Sequence, residues 1–204
     1  MKLYRLSYFA YVVTVTTLFQ TAVFAAQQPG AGMTIKEDRL LETGRSLPLL
    51  DILSGGEISV SDSSVTEKPW SSKSLESKGK VQLVQYLAAS FGAVRQNKPF
   101  TDALIEKHYT SDQLDTTIIV HMENTMSFAK GFVVDRMVKN KVKHQSINFV
   151  IDHNGVGLQR WGMKNKSFAV IVLDASGKVL FAKDGPLSEI EVESTIKLIE
   201  QQMM

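Results

Sequence analysis

Four histidines, at positions 108, 121, 144 and 153, carry the only side chains whose ordinary pKa lies near neutrality. His121 closes a β-branched run, with Glu123 two residues on and Asp152 at the end of a later apolar run. At neighbouring strand ends of an open sheet, His121, Glu123 and Asp152 could meet around a metal ion, but no two of them have ligand spacing on one element. His153 belongs to Asp152-His153-Asn154-Gly155, whose polarity turn chemistry already explains. Ser90 sits between a strand and a helix, where open sheets often bind ligands. As a nucleophile it would need a base, and no neighbour in sequence supplies one. The chain has no Gly-x-Ser-x-Gly elbow and no phosphate-binding loop, and Gly155-Val156-Gly157 is too short to argue for a dinucleotide. It also has no cysteine, which excludes disulfides, thiolate zinc sites, a lipid anchor on cysteine and any dithiol redox cycle.

The elements that must position these residues follow from periodicity. From 44 to 70, turn formers (Pro48, Ser54-Gly55-Gly56, Ser61-Asp62-Ser63-Ser64, Pro69) surround short β-prone pieces such as Ile58-Ser59-Val60, which reads as one or two short strands and a long connection. From Val81 onward strand and helix alternate. Residues 81–87 are an apolar run of strand length. The segment from Phe100 places Leu104 and His108 on one helical face. Residues 116–120 read as a buried strand. A helix with Gly131, Val134, Met137 and Val138 in one stripe follows and ends near Asn140, and 147–151 form a third strand. Asp174-Ala175-Ser176-Gly177 joins 168–173 to 178–182 as a hairpin. A last helix opens with Ser188 and Glu191 at capping-box spacing and buries Val192, Ile196 and Ile199. One mixed sheet with helices on both faces, a three-layer α/β/α sandwich with a C-terminal antiparallel hairpin and final helix, packs that order economically.

The chain has 204 residues, 44% hydrophobic and 22% charged, which suits one globular domain. Lys2 and Arg5 precede an uncharged run over 6–24 that closes on Val23-Phe24-Ala25, the pattern of a signal peptide cleaved after Ala25. A membrane anchor is the rival, but Ser7, Thr14, Thr16, Thr17, Gln20 and Thr21 dilute the run. The expected organisation is a leader at 1–25, a mobile polar segment at 26–43 and one domain at 44–204. Losing Lys2 and Arg5 lowers the 23 basic residues to 21, equal to the 21 acidic ones. A neutral exported protein is a poor candidate for binding nucleic acid. The basic stretch Arg136, Lys139, Lys141, Lys143 and His144 falls at a helix end, where it complements the dipole. A solvated helix end explains it more simply than a polyanion site does.

Several motifs together resemble a known group. Gly44-Arg45-Ser46-Leu47-Pro48, Gly79-Lys80 before the run at 81–87, and Tyr86-Leu87-Ala88-Ala89-Ser90-Phe91-Gly92-Ala93-Val94-Arg95-Gln96-Asn97-Lys98-Pro99 are similar to the exported, peroxiredoxin-related branch of the thioredoxin-like fold. In that resemblance Phe91 and Val94 stand where two redox cysteines would, and Pro99 stands where the helix carries a proline. Pro69-Trp70, residues 116–120, Asn154-Gly155-Val156, Trp161, Ser167, Val172-Leu173-Asp174 and Lys183-Asp184-Gly185 further resemble the YtfJ-like family of exported Gram-negative proteins. The resemblance implies a thioredoxin-like fold and a periplasmic address, and little about activity. Thiol exchange needs an attacking thiolate and a resolving thiol, and Phe91 and Val94 can supply neither. The cis-proline expected opposite the motif is also missing, since Lys164-Asn165-Lys166-Ser167-Phe168 occupies that stretch.

The expectation is therefore a non-catalytic periplasmic binding or interaction protein. It is expected to have no cofactor, no metal, no nucleic-acid partner and no stable membrane anchor, and its partner is an unknown periplasmic protein or small ligand. The alternative is an enzyme of non-redox chemistry using Ser90, His121 or Asp152 in the same crevice. Ser90, Phe91, Gly92, Arg95, Trp161 and Ser167 make up the candidate interaction surface. Trp161 reads first as a core residue, and second as an exposed aromatic among Arg160, Lys164 and Lys166. Phe91 is expected to pack beneath the loop at 167–168, with an exposed anchor as its second reading.

Overall fold

The computed structural model describes residues 41–61, 64–76, 78–164 and 168–203. The expected leader at 1–25, nearly all of the segment 26–43, and Ser167 lie outside the described residues. Seven strands form one sheet: β1 (Asp51–Ser61), β2 (Ser64–Ser71), β3 (Gln82–Ala88), β4 (Asp115–His121), β5 (Asn148–Asp152), β6 (Phe168–Leu173) and β7 (Val179–Asp184). Their order is β2-β1-β5-β4-β3-β6-β7. β3, β4 and β5 run parallel to one another, and every other pair is antiparallel, so the sheet is mixed as expected.

Helix α1 (Phe91–Lys107) connects β3 to β4, and α2 (Ser127–Lys143) connects β4 to β5. Both connections step across the sheet in the same direction, so crossovers of one hand put both helices on one face. There Phe100 of α1, Met137 of α2, and Ile196 and Ile199 of α4 (Glu189–Gln202) share a core with Leu83, Leu87, Val120, Phe149, Ile151 and Val170. The opposite face is covered more thinly. The segment 44–50, the 3-10 turn Ser72–Leu75 and the short α3 (Val156–Arg160) bury Leu50, Leu75, Leu158 and Trp161 against Val84, Tyr86, Ile119, Val150 and Ile171. Leu41 also packs there. Strand residues alternate between these two cores with the period of two that the pleat imposes. All seven residues of β3 are buried, as befits a central strand covered on both sides.

The hairpin and capping expectations hold. In the turn after β6, the Asp174 carboxylate accepts bonds from Ser176 N and Oγ and from Lys178 N, which hold its pKa below the usual range despite some burial. Ser188 and Glu191 complete the capping box of α4. Lys183 and the Ser188 cap together lower the Glu191 pKa to about 2.

Three readings need correction. Gly55 and Gly56 are not a turn: they lie inside β1, which with β2 forms a long antiparallel hairpin rather than short pieces. Both take positive φ, 99° and 105°, at a register shift. A Cβ on Gly56 would lie 1.9 Å from the Lys68 carbonyl oxygen, and one on Gly55 2.3 Å from that of Ile151. Glycine is needed because two strands close on this kink from either side. Helix α1 begins at Phe91, well before Phe100, and His108 is its left-handed C-cap with φ 53° rather than a face residue. Helix α2 runs three residues past Asn140, so its last turn holds Lys141 and Lys143. Among the described residues, no helix is long and apolar enough to cross a membrane.

Candidate functional site

The parallel strands β3, β4 and β5 end at one side of the sheet, and Ser90, His121 and Asp152 lie at those ends. β3 leaves the sheet at Ala88, opposite His121 of β4, and His121 is in turn opposite Asp152 of β5. The chain then turns into α1. Ser90 takes an extended backbone and its Oγ accepts a bond from Ala93 N at 3.2 Å, so it is the N-cap of the helix. The helical period then sets the fate of each side chain. Ala93, Asn97 and Phe100 face inward, and Asn97 Nδ2 donates to Gln85 Oε1 at 2.7 Å. Phe91, Gly92, Val94 and Arg95 face outward.

Phe91 is 79% exposed, and Val94 is also exposed. The packing expected for Phe91 is therefore wrong. A residue at the first helical position projects from the rim of the sheet, and no described segment covers it. Arg95 is exposed and makes no ion pair among the described residues.

On the other face of the sheet, at the same strand ends, lies a buried polar cluster. The Asp152 carboxylate accepts three bonds: from Tyr86 Oη at 2.9 Å, from Gly157 N at 2.9 Å and from Val156 N at 3.0 Å. Tyr86 stacks on His121, with ring centroids 5.4 Å apart, and meets Trp161 edge-on at 5.9 Å. Burial, and secondarily the neighbouring Asp152 charge, push the Tyr86 hydroxyl far above its ordinary pKa, so it stays a proton donor. Gly157 is needed where a Cβ would lie 2.4 Å from the Tyr86 ring. Trp161 is only 2% exposed and donates Nε1 to the Pro48 carbonyl at 2.9 Å, which removes it from the candidate surface and places it in the core.

His121 is itself 2% exposed, and neither ring nitrogen has a hydrogen-bond partner among the described residues. Burial lowers its pKa, although Asp152 and Glu123 oppose the shift, so the ring is neutral at neutral pH. Ser90 and His121 share this side of the sheet but not a hydrogen bond: the Ser90 hydroxyl caps α1, and no base is aimed at it. Both Asp152 oxygens are already used inside the fold. Among the described residues no three His, Asp or Glu side chains form a group that could hold a metal. His153 instead lies against Glu67 at 3.1 Å, across to β2. The Tyr86–Asp152 bond was missed in the sequence because 66 residues separate its partners.

The sheet order, the α1 entry and the terminal hairpin with its helix define a thioredoxin-like protein that carries no sulfur at the helix entry. Solved structures agree on the fold. The crystal structure assigned to a thiol:disulfide interchange protein DsbE of Chlorobium tepidum matches with a TM-score of 0.53 at 15% identity, covering 80% of this chain and 99% of that one. A thiol-disulfide isomerase of Corynebacterium glutamicum matches with a TM-score of 0.50 at 12% identity, covering 68% and 88%.

Within that class the chain belongs to the YtfJ_HI0045 family, described as bacterial proteins of unknown function, which it matches over residues 41–202. It is 32% identical over 160 residues to the "Uncharacterized protein YtfJ" of Escherichia coli strain K12, covering 78% of this chain and 86% of that protein. An "Uncharacterized protein" of Haemophilus influenzae is 31% identical over 159 residues, covering 78% and 85%.

Proposed function

We propose that this chain is a non-catalytic periplasmic interaction protein that docks a partner protein at the entry of α1. The observation that carries the reading is the exposure of Phe91 and Val94, the residues that the resemblance aligns with two redox cysteines. With no cysteine in the chain, thiol exchange and cysteine-based peroxidase chemistry are excluded, and the helix entry keeps shape without sulfur. An apolar pair standing in water gains nothing from the fold and gains from being covered. Phe91 and Val94 stand in solvent rather than enclosed in a cavity, which suits a protein better than a small molecule. Its partner presents an apolar side chain to Phe91 and Val94 and an acidic one to Arg95, with Ser90 and Gly92 beside them.

The periplasmic address rests on Lys2, Arg5, the uncharged run 6–24 and Ala25. N-terminal sequencing of the protein from cells should begin at Ala26. Intact Met1 on soluble cytoplasmic protein would overturn the address. The docking claim is tested by capture from periplasm with the processed protein and with a Phe91→Asp/Val94→Asp variant, read by mass spectrometry. A partner retained by the wild type and lost by the variant is expected. Identical captures would overturn the α1 entry as the docking point.

A further inference from the structure

Helix α2 is built inside out over its first two turns. A surface helix turns its apolar stripe to the core and charge to water. Here Met137 is the one fully buried side chain of the helix, whereas Phe128 is 84% and Phe132 64% exposed. At about 100° per residue, Phe128 lies about 180° from Met137 around the axis, on the face turned squarely to solvent. Lys139, Lys143, Arg136 and Phe132 fall within about 80° of Phe128 on that same outward face, and the exposed Val142 falls about 40° to its other side. The face is thus a strip about 22 Å long carrying two aromatic rings, an aliphatic side chain and three cations.

Charge is as uneven as polarity. Helix α2 holds five cations (Lys130, Arg136, Lys139, Lys141, Lys143) and one acid, Asp135. The chain beyond the expected leader balances 21 basic against 21 acidic residues, so the net charge of this helix is a local feature. Lys130, Arg136, Lys139 and Lys143 make no ion pair among the described residues. Lys141 is used internally, donating to the Gln145 and Ile147 carbonyls to close the helix end. Complementing the helix dipole explains cations in the last turn but not Lys130 or Arg136, nor two phenylalanines held in water.

We propose that the outward face of α2 is a docking surface for an anionic phospholipid bilayer. A convex strip of protruding phenylalanines among unpaired lysine and arginine is the composition that lies in a membrane interface: the rings enter the headgroup boundary, and the cations meet lipid phosphates. A protein partner would need an acidic groove to take the same strip. This contact is reversible and independent of the α1 entry, because it uses a different helix and needs neither Phe91 nor Val94.

The test is sedimentation of the protein, as isolated from cells, with vesicles of phosphatidylethanolamine containing a quarter phosphatidylglycerol, against vesicles of phosphatidylcholine alone. Any leader is common to all variants, so differences between them report α2. The wild type should bind the anionic vesicles, bind the zwitterionic ones at least about tenfold more weakly, and release as salt rises. Phe128→Ser/Phe132→Ser and Lys139→Gln/Lys143→Gln should each weaken binding more than about tenfold. The urea midpoint should be unchanged for the exposed phenylalanine pair and only slightly lowered for the lysine pair, which also complements the helix C-terminus. Phe132→Trp should keep binding and shift its emission to the blue on the anionic vesicles only. No binding to anionic vesicles, equal binding to both compositions, or binding indifferent to both double variants would each overturn the proposal. So would a photo-crosslinker at 132 that captures a periplasmic protein while vesicle binding is absent.

Discussion

Two phenylalanines nine residues apart on α1 should respond oppositely to the same substitution. Phe100 is buried in the core beneath the helix, where it packs with Leu83, Leu87 and Ile196. Phe91 is exposed at the helix entry. A fully buried phenylalanine removes roughly 150–250 Å² from water, so the fifth or so that Phe91 hides is about 40 Å². At about 25 cal/mol per Å² that is at most about 1 kcal/mol. Alanine recovers about half of it through better helix propensity. Phe91→Ala should therefore change unfolding free energy by less than about 0.5 kcal/mol, while Phe100→Ala should cost about 3–5 kcal/mol. Urea titration of the three proteins, followed by fluorescence of the buried Trp70 and Trp161, measures both. A loss near 3 kcal/mol for Phe91→Ala at unchanged m would mean that the ring is covered, and would refute the exposed α1 entry.

Other substitutions probe the scaffold around the entry. Ser90→Ala should cost about 1 kcal/mol as a lost N-cap, and Ser90→Asp should restore it, because a carboxylate caps as well. Thermal melts would show the order, and an Asp variant weaker than the Ala variant would contradict the cap. Tyr86→Phe should cost about 1.5–3 kcal/mol, since it removes one of three bonds to Asp152 and leaves the ring packing intact. A neutral result in urea would show that the bond contributes nothing. The buried His121 has a lowered folded pKa, so the unfolded chain takes up its proton more readily. Stability should fall as pH drops below the ordinary histidine value of 6.5 and level off only below the lowered folded value. Unfolding titrations from pH 7.5 to 5 should show this slope in the wild type and a flatter one in His121→Phe; parallel curves would remove His121 as its source.

The central fold was legible because its signals are local and periodic. The apolar run at 81–87, the β-branched run at 116–120, the turn at 174–177 and the Ser188–Glu191 box each state their element within a few residues. The first hairpin was not, because β1 carries its two glycines where two strands crowd the backbone, and only the partner strands reveal that the pair is a kink rather than a turn. Pro69 also reads as a breaker, yet it is tolerated because β2 is the edge strand. The identity of the α1 entry was readable from Ser90 and its neighbours, but the exposure of Phe91 was not. An apolar residue at a first helical position turns inward or outward according to what covers the rim. For Trp161 the first reading, a core residue, holds against its cationic neighbours: it is buried, and a hydrogen bond to Pro48, 113 residues away, ties it inside.

On the function proposed above, the α1 entry is an occupied interface rather than a vacant active site. A photo-crosslinking amino acid at position 91, expressed in cells and irradiated there, tests it most directly, with the same group at exposed Val60 as reference. One discrete protein adduct is expected at position 91, absent at 60 and abolished by Arg95→Glu. No adduct at 91, or the same diffuse pattern at both positions, would contradict it.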